Sequence, residues 1–98
     1  MIWMLNLFLA GANLIPLQIF HSQNSPAGYR RLLEDAVDAN MNMIRIWGGG
    51  LYQDDSFYDI ADELGVLVWQ EAMFACAQYP RDQAFLENVS TSLSAILH

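Results

Sequence analysis

Residues 2–10 (IWMLNLFLA) make a nearly unbroken apolar run, which predicts a buried strand. A polar-edged connection from Asn13 to Asn24, containing Pro16, follows. Ser25-Pro26 then reads as a helix start, with Ser as N-cap and Pro at the first helical position. Tyr29, Leu32, Leu33, Ala36, Val37 and Asn40 recur at helical spacing, while Arg30, Arg31, Glu34, Asp35 and Asp38 fill the opposite face. Met43-Ile44-Arg45-Ile46-Trp47 is a short run of β-formers stopped by Gly48-Gly49-Gly50, and predicts a second strand. Asp54-Asp55 open a second helix with stripe Phe57, Ile60, Ala61 and Leu64, which Gly65 ends in a left-handed turn. Val66-Leu67-Val68-Trp69, apolar on both faces, predicts a third strand. After Tyr79-Pro80, Asp82 caps a third helix with stripe Phe85, Leu86, Val89, Leu93, Ile96 and Leu97.

Strands without polar alternation, separated by amphipathic helices, predict a parallel sheet covered by helices. The fold class is α/β, with about three βα units. No linker, low-complexity tract or strong repeat divides the chain, so residues 1–98 read as a single domain or part of one.

Composition narrows the partners. The chain has 98 residues, 54% hydrophobic and 15% charged, a high apolar fraction for so short a sequence. The net charge is −7, and Arg30, Arg31, Arg45 and Arg81 are its only basic residues, with no Lys. A phosphate-tracking surface needs clustered basic residues, so nucleic acid is not an expected partner, and anionic membranes are repelled for the same reason. The run over residues 1–10 is too short for a membrane span and lacks a basic lead-in, although Ala10-Gly11-Ala12 mimics a cleavage site. Cys76, the lone cysteine, lies between Ala75 and Ala77 and is expected to be buried. His21 and His98 have no partners at metal-ligand spacing, and no cofactor is expected.

Arg45 carries the most chemical information. Alternation puts Met43, Arg45 and Trp47 on one face of their strand and Ile44 and Ile46 on the other. The Ile face suits packing on helices. Arg45 and Trp47 then point the other way near the strand's C-terminal end, where ligands gather in parallel α/β folds. An Arg fork beside a flat aromatic plate suits a sugar, whose ring has polar rims and an apolar face. An Arg paired to a buried carboxylate, with Trp47 in the core, fits the pattern equally well. Gln70-Glu71 closes the third strand, where Glu71 binds a hydroxyl, holds Arg45 or faces solvent. The triple glycine matches no phosphate-loop spacing, and a close backbone approach is the favoured reading. No Ser-His-Asp set, Cys-His set or G-x-S-x-G elbow is recognisable. Asn88-Val89-Ser90 is an N-glycosylation sequon.

The stretch ANMNMIRIWGGGLYQDDSFYDIADELGVLVWQEAMFACAQYPRD resembles β-mannosidases of glycoside hydrolase family 2, and the upstream GANLIP is similar to that family's G-A-N-W-I-P. The likeness runs over roughly residues 11–89. It implies the first third of a (β/α)₈ TIM barrel, with Arg45 and Trp47 lining the subsite for a terminal mannose and Asn13, Gln70 and Glu71 near it. The activity implied is retaining hydrolysis of terminal β-linked mannose from oligosaccharides by an acid/base Glu and a nucleophile Glu. A lysosomal or secretory address, with Asn88 glycosylated, follows from the same likeness.

This chain departs from the pattern in places. Leu14 replaces a Trp, Glu71 stands where Asp is usual, and the N-E motif holding the family's acid/base Glu does not occur. The expectation is an inactive piece without catalytic carboxylates. The competing expectations are a non-catalytic truncated protein or weak carbohydrate-binding piece, and a nucleotide-binding α/β domain built on the triple glycine.

Overall fold

A computed structural model of the chain describes residues 7–96. Its elements run β1 (Gly11–Leu14), α1 (Pro26–Asp38), β2 (Met43–Ile46), α2 (Asp55–Leu64), β3 (Leu67–Gln70) and α3 (Gln83–Ile96). The three strands form one parallel sheet in the order β1-β2-β3. The register pairs Asn13 with Arg45 and Arg45 with Trp69.

The first strand departs from expectation. Residues 2–6 of the predicted strand lie outside the described residues, and residues 7–10 are not strand. The strand occupies Gly11–Leu14, inside what reads as a connection. The physical reason lies with Asn42. Its Nδ2 donates to the Phe8 carbonyl at 2.8 Å, its Oδ1 accepts from the Ala10 N–H at 2.9 Å and its backbone N–H donates to the Ala10 carbonyl at 2.8 Å, so Asn42 holds the segment largely by its side chain ahead of the ladder. Ladder pairing with β2 begins only at Gly11. A Cβ at Gly11 would come within 2.0 Å of the Met43 carbonyl oxygen, so a larger residue there would force the two strands apart.

The other element starts and stops follow local chemistry. The Ser25 hydroxyl accepts from the Gly28 N–H at 3.2 Å and caps α1, with Pro26 in its first turn. Gly65 ends α2 at φ 71°, ψ 28°, a left-handed turn free of steric penalty for glycine. The Asp82 carboxylate accepts from the Phe85 N–H at 3.0 Å at the start of α3. Asn40 lies beyond α1, also left-handed, at φ 59°.

α1 and α2 pack side by side on one face of the sheet. Tyr29, Leu33, Phe57 and Ala61 are fully buried there against Ile44 and Ile46. Tyr29 and Phe57 meet edge to face with ring centres 5.5 Å apart. Each such large side chain contributes about 1.5–3 kcal/mol by leaving water. Outside the core, Arg30 forks onto Glu63 across the two helices, with contacts of 3.2 and 2.6 Å, and this pair draws the Glu63 carboxyl below its ordinary pKa.

The opposite face of the sheet is open among the described residues. Leu67 and Trp69 share it with Met43 and Arg45 and are exposed, so β3 is apolar on both faces, as its sequence predicts, with one of them uncovered. Leu86 is also exposed, off the partly covered stripe of Phe85, Val89, Leu93 and Ile96, while Leu97 lies outside the described residues. Cys76 is a further correction: it is exposed and takes φ 58° in the loop after β3. That loop folds back on itself through the Phe74, Tyr79 and Phe85 rings, with centres 4.9 to 6.3 Å apart, and the aromatics rather than the small residues form its packed side.

Candidate functional site

Three strand ends converge on Arg45. Alternation along β2 sends Ile44 and Ile46 into the helical layer and turns Arg45 to the open face, as the pattern predicts. Glu71 directly follows β3, and its backbone N–H donates to the Ile46 carbonyl at 3.2 Å, bringing it beside Arg45. Asn13 faces Arg45 from β1.

The polar groups are closely matched. Arg45 Nε donates to Glu71 Oε1 at 2.9 Å, and Nη2 donates to the same oxygen. Arg45 Nη1 donates to Asn13 Oδ1 at 3.0 Å. Glu71 Oε2 accepts from the Gly48 N–H at 2.8 Å. That backbone donor and the Arg45 guanidinium, in that order, hold the Glu71 carboxyl below its ordinary pKa, so it stays ionised at neutral pH. The guanidinium has five N–H groups, three of them committed to Glu71 and Asn13, and among the described residues the other two have no partner.

Between the two sequence readings of Arg45, ligand-facing or carboxylate-paired, the geometry combines both: the pair is half-exposed, on the rim of a hollow lined by Asn13, Met43, Arg45 and Trp69. For Glu71, the partner is Arg45. The ring beside Arg45 is Trp69, 5.9 Å from its Cζ, a residue the sequence reading treated only as strand. Trp47 instead lies over the glycine loop. A Cβ at Gly49 would come within 2.1 Å of its indole, and one at Gly48 would come within 2.5 Å of the Ala72 carbonyl. Close approach therefore accounts for these glycines. The Gly48 N–H, which a phosphate cradle would need, is already spent on a carboxylate.

Gln70 lies on the face of the sheet opposite Arg45 and Trp69. Its Oε1 accepts from the Tyr58 hydroxyl at 2.6 Å and its Nε2 donates to the Glu71 carbonyl at 2.7 Å. Tyr58 escaped the sequence reading because a Tyr one position from the helical stripe looks like ordinary helix surface. Asn88 is exposed on α3. His21 meets Asp54 at 3.2 Å and Asn24 at 3.0 Å, and Asp54 also accepts from the Tyr29 hydroxyl at 3.1 Å. This cluster ties the loop after β1 to the start of α2. Among the described residues, no group of His, Cys, Asp and Glu is placed to hold a metal ion, and no helix is long and apolar enough to cross a membrane.

Known proteins resemble this chain in sequence and backbone. No protein-family model matches the chain. It is 51% identical over 85 residues to a β-mannosidase of Bos taurus, a match covering 87% of this chain and 10% of that protein. A β-mannosidase A of Aspergillus terreus is 44% identical over 86 residues, covering 88% of this chain and 9% of the other. Among solved structures, the β-D-mannosidase of Dictyoglomus thermophilum superposes with a TM-score of 0.86 at 47% identity, over 92% of this chain and 11% of that one. The chain thus spans about a tenth of the length of the curated relatives it matches. Over that segment, in both sequence and backbone, this chain is a homologue of the β-mannosidases.

Proposed function

We propose that this chain forms part of the sugar-binding end of a β-mannosidase of glycoside hydrolase family 2, as three consecutive βα units of a (β/α)₈ barrel. The observation that carries the reading is Arg45, held by Glu71 and Asn13 at the C-terminal ends of three parallel strands, with two donors unpartnered among the described residues. Sheet order that repeats chain order, with both covering helices on one face, supports the barrel arrangement. The substrate is a terminal β-linked mannose of an oligosaccharide, hydrolysed with retention. Arg45 bonds ring hydroxyls, with Trp69 and Trp47 as flat apolar neighbours. The enzyme works in the lysosome or secretory pathway, with Asn88 as a glycan acceptor.

Glu71 serves this site as an anchor. Both its oxygens already accept from donors and it is held ionised, so it has neither a proton to give nor a free oxygen for attack. The same fact favours binding without turnover as the property of these residues by themselves. The test is titration of the chain with methyl β-D-mannopyranoside, followed by tryptophan fluorescence, beside an assay with a chromogenic β-mannoside. Saturable binding weakened about tenfold or more by Arg45→Ala, or about 1.4 kcal/mol, is the expected result. Binding indifferent to Arg45→Ala removes Arg45 from the site. Turnover abolished by Glu71→Gln would make Glu71 catalytic and overturn its role as anchor.

A further inference from the structure

Behind the Arg45–Glu71 pair stands a hydrogen-bond relay that begins on α2 and has a fixed direction. The Glu71 carbonyl at its far end can only accept, and this fixes the sense of every bond in the relay. The Tyr58 proton is then directed to Gln70 Oε1, 2.6 Å away. With that oxygen committed as acceptor, the Gln70 amide must present Nε2 to the Glu71 carbonyl, and the contact there is 2.7 Å. A flipped amide would set two carbonyl oxygens against each other. The Glu71 peptide is held on its other side by its N–H on Ile46, and its side chain grips Arg45. Burial pushes the Tyr58 hydroxyl above its ordinary pKa, so its proton stays in place across the neutral range.

We propose that Tyr58 is a positioning residue for the sugar site: acting through Gln70 and the Glu71 peptide, it sets where Arg45 aims its two free N–H groups. Its effect on sugar binding rests on the reading of the site as a β-mannoside site. The relay does not.

The test uses the full chain, nitrogen-15 labelled, with Tyr58→Phe, which removes one oxygen and keeps the ring. The Gln70 side-chain amide signals should shift. Hydrogen exchange at Arg45 Nε–H should quicken about tenfold, the scale of one lost hydrogen bond. The methyl signals of Leu33 and Ile60 in the core should stay in place. Gln70→Ala should reproduce the faster exchange, and the double variant should add nothing, which also settles the matter if Tyr58→Phe unfolds. Unchanged Arg45 exchange in a folded variant overturns the relay. Affinity for methyl β-D-mannopyranoside should fall about threefold to tenfold in Tyr58→Phe, under the same one-bond scale. Faster exchange with unaltered affinity overturns the positioning role. A wild-type chain that does not bind the mannoside overturns the site reading instead, while the exchange data still decide the relay.

Discussion

Arg45 and Glu71 lie 26 residues apart in the chain, yet Nε and Nη2 of the one both donate to Oε1 of the other. Glu71 Oε2 is left for the Gly48 N–H, so a single carboxylate ties β2, β3 and the glycine loop together. The carboxyl is held below its ordinary pKa by that N–H and by Arg45. A lowered folded-state pKa contributes stability above the unfolded value and loses it as pH falls through the folded value. Wild type should therefore resist urea better than Glu71→Gln at about pH 7, and the gap should close below the ordinary Glu value of about 4.3. Paired urea melts across that range check this, and a gap that does not change with pH would refute it.

The core predicts a larger effect. Phe57 is fully buried and meets the rings of both Tyr29 and Tyr58. Phe57→Ala should cost about 3–5 kcal/mol, enough to leave so small a core largely unfolded. Near-ultraviolet circular dichroism would report the loss of the packed tyrosines.

Gly65 isolates a backbone effect. A Cβ there meets no atom within 4 Å, so Gly65→Ala brings no clash, only the left-handed φ of 71°. The expected cost is about 1–2 kcal/mol, read from the midpoint of a thermal melt. A neutral result would mean that α2 has an alternative ending.

Gly49→Ala tests a contact. The new methyl group would occupy the place of the Trp47 ring, so the indole must move and its emission should shift to longer wavelength. Arg45→Ala, by contrast, should leave the Trp47 environment intact.

Much of the fold was legible because it rests on local rules. Ser25, Gly65 and Asp82 mark helix ends by chemistry that acts over a few residues, and Ile44 and Ile46 declare their buried face by alternation. The first strand was not legible, since Asn42, distant in sequence, decides where pairing begins. Cys76 was misjudged because small neighbours say nothing about whether a loop turns inward. At the site, Arg45, Asn13 and Glu71 were readable one by one, whereas their mutual bonding and the part of Trp69 depend on strand register. Tyr58 left no trace, because its value lies in one hydroxyl aimed at a neighbouring element.

The sheet's order repeats the order of the chain, β1-β2-β3. Pairing such as Gly11 with Met43 and Met43 with Leu67 therefore joins each strand only to the strand next to it in the chain. A sheet of this kind suits growth on the ribosome. Each strand has its sheet partner in the βα unit just before it, so pairing needs no sequence from further along the chain.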